Sequence, residues 1–346
     1  SWCGQFMITS ALRRREIGFQ HIPTCFPEER VFTEWVQRFV RACAATSGFR
    51  NARIGEIGPR PEEFESVWWD EASLQKAFGQ TVVPVDLDDV FYRVESLPAD
   101  AAKVRATLRE MKEGVEWESI PERPLTNLAR YEVALQGLAK EKELDALAVN
   151  CWPRVQQRLG ISVCAALGRL SDRGLPCACE VDIYGAATLL AAYNAGLAKT
   201  APHFIDWTEL HPSEPNVWLA WHCGNAPRSL CGRGCVPCYQ RHSIIQAEGS
   251  WGTLEFRLRE GPVTCARLAE YDGEFTMFIG TGEIIDIPPV TRGSYGWVRV
   301  NDVYDWEQKM VDNGIIHHGV LIHDAQVADA LESFCKFNGI KVLRGA

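Results

Sequence analysis

Strand-like and helical segments alternate through about the first 200 residues, and this alternation constrains the fold more than any other feature. The apolar runs 144–151 and 175–181 read as strands, and the periodic segments 160–172 and 184–196 read as helices. Strands that alternate with helices favour a parallel, doubly wound sheet. The expected fold class is therefore α/β.

After residue 200 the pattern becomes a series of short β-rich runs separated by Gly and Pro. These runs are 203–207, 217–222, 252–258, 274–279, 283–287 and 295–300. Such runs indicate an antiparallel sheet or barrel. We therefore predict a Rossmann-like, doubly wound parallel-sheet domain over 23–199. A β-rich C-terminal domain with flanking helices is predicted over 200–346.

Composition excludes several classes of protein. At 346 residues the chain is long enough for two domains with a sizeable core. Its formal net charge of −9 argues against a nucleic-acid partner, because nucleic-acid binders normally present a basic face. No segment approaches the roughly 20 apolar residues of a transmembrane helix, so no membrane partner is expected. The first residues lack the basic and apolar regions of a signal peptide.

The cysteine content indicates the compartment. The chain has 13 cysteines, an odd number, and most lie in apolar contexts where thiols behave as small hydrophobic groups. Without a secretion signal, this pattern fits a reducing cytoplasm better than a disulfide framework. One group is closely spaced: Cys231, Cys235 and Cys238, with Cys223 upstream. It contains a single C-x2-C pair, so free thiols are favoured over a structural zinc site.

Four acidic or imidazole side chains end or interrupt apolar, strand-like runs: Glu180, Asp206, His222 and His318. Burying a charge is costly unless it is paired or binds a metal. Two carboxylates with one or two imidazoles suit a divalent-metal site of the Mn²⁺ or Zn²⁺ type. Each residue also has an ordinary alternative: a carboxylate in a salt bridge or helix cap, or a hydrogen-bonded histidine.

Several stretches of the chain resemble motifs of the L-fucose isomerase and L-arabinose isomerase family of aldose–ketose isomerases. These stretches are 169–174, 178–182, 202–206, 221–224 and 317–318. The resemblance implies that Glu180 and Asp206 bind the metal and act as the acid/base pair, with the choice of base left open. It implies His318 as a further metal ligand, and His222 as the ligand found in the arabinose branch.

The resemblance also implies the reaction and its partners. The expected reaction interconverts an aldose and a ketose, a pentose or 6-deoxyhexose, through a cis-enediol. The expected cofactor is Mn²⁺, with Mg²⁺ or Co²⁺ as alternatives. Trp152, Trp221 and His317 are predicted to contact the monosaccharide, although core packing explains the two tryptophans equally well.

Members of this family have a further N-terminal α/β domain and form trimers or hexamers. We therefore interpret residues 1–22 as the remnant of a preceding domain or a linker, residues 200–346 as the isomerase domain, and the chain as a fragment that forms a homo-oligomer. One alternative is a non-catalytic or truncated sugar-binding homologue. Another is a sulfosugar isomerase or an epimerase on the same scaffold. A third is a zinc-stabilised interaction module.

Overall fold

The computed structural model describes residues 2–245, 249–288 and 291–346. The first half of the chain contains α1 (Trp2–Arg14), α2 (Arg30–Phe49), β1 (Arg53–Ile57), α3 (Glu71–Phe78), β2 (Thr81–Val85), α4 (Leu87–Ser96), α5 (Ala102–Lys112), α6 (Glu122–Lys142), β3 (Ala146–Val149), α7 (Arg154–Leu159), α8 (Cys164–Asp172), β4 (Cys177–Cys179) and α9 (Ile183–Ala195). The second half contains β5 (His203–Leu210), β6 (Val217–His222), β7 (Cys238–Arg241), β8 (Trp251–Arg257), β9 (Gly261–Tyr271), β10 (Glu274–Ile285), β11 (Ser294–Arg299), α10 (Val303–Asp312), β12 (His318–Ile322), α11 (Gln326–Asn338) and β13 (Lys341–Arg344).

The first four strands form a parallel sheet in the order β2-β1-β3-β4. Buried apolar residues fill β3 along its whole length, as expected for a strand covered by helices on both faces. The carboxyl end of β4 leads directly into Glu180. The α/β fold predicted for this half is confirmed.

In the described part of the chain, nine further strands form a second, mostly antiparallel sheet in the order β13-β10-β9-β12-β5-β6-β11-β8-β7. β10 also pairs with β11 through Glu283–Ile285. This extra pairing closes β10, β9, β12, β5, β6 and β11 into a ring. The β-rich C-terminal half is therefore confirmed, and its central part is a closed barrel.

The predicted strands of this half differ from the structure at three places. β7 and β9 were not predicted, and β10 is one strand where the sequence indicates two runs. Gly280 interrupts the apolar run in β10, yet the strand continues through it, because Gly280 pairs with Cys265 of β9. A Cβ at this position would lie 2.2 Å from the Trp306 ring. Glycine here allows close packing, so it does not mark a turn.

Helix α9 joins the two sheets. Eleven of its residues are buried, since it packs on β3 and β4 of the first sheet and on β9 and β12 of the second. A helix that is apolar on every side is expected in such an interior position. One hydrophobic core therefore runs through both halves, and the division at 199/200 remains a prediction. In the described parts of the chain, every helix is too short or too polar to cross a membrane.

Candidate active site

Glu180 lies just beyond β4 and is 6 % exposed. Glu180 and Val181 both have left-handed backbone conformations, with φ of 52° and 59°. This region is strained for a β-branched residue, and such strain clusters at functional sites. The Oε1 atom of Glu180 accepts a hydrogen bond from the Cys151 thiol at 3.5 Å. Oε2 has no hydrogen-bond partner among the described residues, which makes it a candidate ligand atom.

Asp206 and His318 are brought to Glu180 by the second sheet. His318 is the first residue of β12 and pairs directly with Asp206 on β5. Nε2 of His318 lies 3.6 Å from Oδ1 of Asp206 and 3.6 Å from Oε2 of Glu180. The structure therefore places three of the four predicted ligands around one point.

The opposite nitrogen of the His318 ring is held by Asp182. Nδ1 of His318 lies 2.9 Å from Oδ2 of Asp182. Asp182 is fully buried, caps α9 through Gly185 N at 2.7 Å, and forms a two-pronged ion pair with Arg267. An ionised carboxylate accepts only, so Nδ1 of His318 is the donor in this hydrogen bond. In the neutral ring Nε2 then holds the lone pair, and this atom lies 3.6 Å from both carboxylates, where a metal ligand is needed.

His222 presents a different tautomer. Its Nδ1 accepts a hydrogen bond from Cys223 N at 2.9 Å, so the proton lies on Nε2. Nε2 is 3.9 Å from Oε2 of Glu180. In this tautomer His222 is a hydrogen-bond donor beside the cluster, and its predicted role as a fourth ligand remains a prediction.

Burial dominates the electrostatics of these groups. It raises the pKa of Glu180 well above the usual range, and the neighbouring Cys151 and Asp206 raise it further. Burial also raises the pKa of Asp206 to about 6, although His318 partly opposes this shift. The pKa of His222 is lowered well below its usual value by burial and then by His318, so its ring is neutral. The site therefore disfavours extra negative charge and would gain from a cation.

Glu180, Asp206 and His318 fit a divalent cation. They offer a buried carboxylate oxygen without a partner, a second carboxylate and an oriented imidazole lone pair. Oxygen-rich sets with one imidazole suit Mn²⁺ and similar ions. The ligand atoms of Asp206, His317 and His318 lie within 4.8 Å of one another, and Glu180 joins this group through its 3.6 Å approach to His318.

The predicted sugar-binding residues lie at two edges of the cluster. Phe64, which the sequence did not indicate, lies over the ring of His318, with ring centroids 6.0 Å apart and an angle of 22°. The same phenyl ring contacts Trp152 at 5.7 Å and His317 at 5.5 Å. His317 is exposed, and its Nδ1 lies 3.4 Å from Ser66 Oγ. Phe64, Trp152 and His317 therefore form one wall beside the cluster.

Trp221 borders the site from β6, where it pairs directly with Asp206. Its indole N–H donates to the Arg292 carbonyl at 2.5 Å, and its ring packs in a separate apolar cluster with Tyr295 and Trp297. The indole nitrogen is therefore already satisfied. Any contact with a sugar would use the ring face alone.

The closely spaced cysteines do not assemble as a zinc site. The groups of three possible ligands in the described chain include none of Cys231, Cys235 and Cys238. Cys223 lies instead with Cys164 and His242. Sequence spacing missed this group because its members come from three separate parts of the chain.

Two further residues escaped the sequence reasoning for similar reasons. Asp182 caps α9, and it also orients His318. Arg267 gave no signal except its position as a charged residue inside an apolar run, 1 % exposed in β9. A buried arginine usually marks a buried carboxylate partner.

Comparison with known proteins agrees with this geometry. Residues 220–344 match the family model described as L-fucose isomerase, C-terminal domain. The chain is 27 % identical over 300 residues to a sulfoquinovose isomerase from Alkalicoccus urumqiensis, covering 86 % of this chain and 66 % of the relative. It is 24 % identical over 299 residues to a sulfoquinovose isomerase from Priestia aryabhattai, covering 86 % and 65 %. The chain thus spans just under two thirds of the length of these relatives. The resemblance to the L-fucose isomerase family found in the sequence is confirmed.

Proposed function

We propose that this chain, which shares the C-terminal domain of the L-fucose isomerase family over residues 220–344, carries the active site of a metal-dependent aldose–ketose isomerase. The observation that carries the proposal is the convergence of Glu180 Oε2 and Asp206 Oδ1 on Nε2 of His318, each at 3.6 Å. Such a cluster provides both the ligands for a cation and the groups for proton transfer.

Glu180, Asp206 and His318 would hold Mn²⁺, with Mg²⁺ or Co²⁺ as alternatives. When bound, the cation supplies Lewis acidity toward the carbonyl and hydroxyl oxygens of the sugar. Asp182 and Arg267 keep the His318 lone pair directed at this position.

The two carboxylates carry the proton transfers. One removes the proton from the carbon next to the carbonyl, which gives a cis-enediol, and the other moves a proton between O1 and O2 of the sugar. Their pKa values are both raised, Glu180 by deep burial and Asp206 to about 6. Carboxyl groups with raised pKa values can hold or release a proton near neutral pH, which suits acid/base catalysis.

We propose a monosaccharide substrate of one of two classes. The pentoses and 6-deoxyhexoses implied by the sequence motifs form the first class. The second class is sulfosugars, and the relatives named as sulfoquinovose isomerases favour it. A cytoplasmic location and a closed homo-oligomer remain predictions from the sequence.

The test combines metal binding with product analysis. The protein is incubated with Mn²⁺ and a panel containing sulfoquinovose, L-fucose and L-arabinose, and ketose formation is measured. Glu180→Gln and Asp206→Asn should each abolish turnover and weaken Mn²⁺ binding. Glu209→Gln is the matched control, because this exposed residue of β5 lies outside the cluster and should leave both unchanged.

Two outcomes would contradict the proposal. If Mn²⁺ binds through Glu180 and no sugar is converted, the chain is a sugar-binding homologue or requires a further segment. If Mn²⁺ does not bind, the three-ligand site is wrong.

A further inference from the structure

A second buried group of reactive side chains lies outside the proposed chemistry. Cys164, Cys223 and His242 each offer one ligand atom, and these atoms lie within 4.8 Å of one another. The three residues are 3 %, 8 % and 7 % exposed. Cys223 follows His222 directly, so this group adjoins the candidate active site.

The tautomer of His242 argues against a metal site. Its Nδ1 accepts hydrogen bonds from Ile244 N at 3.2 Å and Ile245 N at 3.0 Å. The ring proton therefore lies on Nε2, and a protonated nitrogen cannot bind a metal. An Nε2–H group can instead donate to a thiolate, and the Cys164 sulfur lies within 4.8 Å of a His242 ring nitrogen.

The position of Cys164 also favours a thiolate. Cys164 is the first residue of α8, where unpaired backbone N–H groups and the helix dipole stabilise negative charge. Cys223 supplies a second thiol, whose sulfur lies within 4.8 Å of the Cys164 sulfur. A thiolate with a neighbouring thiol is the usual arrangement of an oxidisable cysteine pair.

A second buried thiol pair in the chain provides a comparison. Cys151 and Cys179 also lie together, but their neighbour is the carboxylate of Glu180. The Cys151 thiol donates to this carboxylate at 3.5 Å. Glu180 acts electrostatically on Cys164 and Cys223 as well, so the difference between the pairs is the imidazole of His242 and the start of α8, which both favour a thiolate at Cys164.

We propose that Cys164 and Cys223 form a modification site at which hydroperoxides produce an intramolecular disulfide. The Cys164 thiolate attacks a peroxide oxygen, the O–O bond breaks, and Cys164 becomes a sulfenic acid while the leaving oxygen takes a proton from solvent and departs as water or an alcohol. The Cys223 sulfur then attacks the sulfenic sulfur, the S–O bond breaks, and the hydroxyl leaves as water with the proton of the Cys223 thiol. The disulfide ties the end of β6 to the start of α8, one residue from His222.

The test is thiol mapping on the whole chain. Reduced protein is treated with stoichiometric hydrogen peroxide, the remaining thiols are alkylated, and peptides are analysed by mass spectrometry. We expect a Cys164–Cys223 cross-linked peptide, reversed by dithiothreitol, while Cys151 and Cys179 remain alkylated. This measurement uses the unmodified sequence, so it does not depend on the folding of any variant.

Variants assign the roles within the pair. In Cys223→Ser, dimedone should trap a sulfenic acid at Cys164, and in Cys164→Ser, no sulfenic acid should form at Cys223. His242→Gln should slow oxidation of Cys164 by about tenfold, because it removes a hydrogen bond to a charged sulfur. His21→Gln, a change at an exposed imidazole, should not alter this rate.

Other results would overturn the inference. Oxidation of exposed Cys3 and Cys43 with Cys164 and Cys223 fully alkylated would exclude the proposed pair. Oxidation of Cys151 and Cys179 at the same rate would show that His242 and the helix N-terminus confer no selectivity.

Discussion

His318 and Asp206 are direct cross-strand partners on β12 and β5, and the imidazole Nε2 lies 3.6 Å from the carboxylate Oδ1. The antiparallel register alone brings these two side chains together, since directly paired residues lie on the same face of a sheet. Glu180 reaches the same nitrogen from the end of the parallel sheet. The site therefore exists only where the two sheets meet.

The two histidines near Glu180 should contribute unequally to metal binding. His318→Gln should lower Mn²⁺ affinity by about tenfold to a hundredfold or more, since second-sphere changes alone have effects of that size. His222→Gln should have a much smaller effect, because its protonated Nε2 is a donor. Isothermal titration calorimetry with Mn²⁺ measures both. An equal loss of Mn²⁺ affinity in the two variants would indicate that His222 is a fourth ligand.

Asp182 should affect Mn²⁺ affinity although it is not one of the proposed ligands. Asp182→Asn keeps a helix-capping oxygen on α9 but removes the charge that holds His318 and Arg267. Mn²⁺ affinity should fall by about tenfold to a hundredfold. Asp302→Asn is the matched control, because Asp302 caps α10 in the same way without a histidine partner. Unchanged affinity in Asp182→Asn would show that His318 keeps its orientation without Asp182.

The stability of the metal-free protein should depend on the ionisation of Asp206. Burial raises the pKa of Asp206 to about 6, above the value of roughly 3.9 in an unfolded chain. The folded state then binds more protons than the unfolded state between these values. Protonated Asp206 therefore contributes fully to the free energy of unfolding at low pH, and this contribution is lost as the pH rises through about 6.

The measurement is urea unfolding of metal-free protein at several pH values from about 4 to 7, compared with Asp206→Asn. The variant should lose less stability than the parent over this interval. Parallel curves for the two proteins would mean that the pKa of Asp206 is not raised. Glu209→Gln on the same strand serves as the control.

Phe64 should affect sugar binding and leave metal binding intact. Its ring lies over His318 and touches Trp152 and His317, but it offers no ligand atom. In Phe64→Ala, we expect kcat/KM for the substrate to fall by about tenfold, as for loss of one aromatic contact of about 1–1.5 kcal/mol. Mn²⁺ affinity should not change. Phe26→Ala removes an exposed ring and should alter neither quantity.

The fold class and part of the site could be predicted from local patterns. Alternation of strands and helices predicts the parallel sheet, and charged residues at the ends of apolar runs single out Glu180, Asp206 and His318. Helix α9 was predicted because its apolar residues and closing Gly196 are local signals. These features depend on short stretches of chain, so they can be predicted from local sequence patterns.

The partners of these residues could not be predicted in the same way. Arg267 and Asp182 are 85 positions apart, and Phe64 lies far along the chain from His318. Cys164, Cys223 and His242 likewise come from three separate segments. Local pattern contains no information on which distant segments meet.

By itself, the sequence determined the α/β class and the β-rich C-terminal half, and it indicated four candidate metal ligands, Glu180, Asp206, His222 and His318, because burial and secondary structure depend on local periodicity. Only the tertiary structure decided which nitrogen of each histidine is available. That choice depends on the single hydrogen bond at the other nitrogen: Asp182 for His318 and a backbone N–H for His222. The partner of His318 is 136 positions away and meets it only in the folded chain, whereas the partner of His222 is the next residue, and burial of the ring keeps water from replacing it.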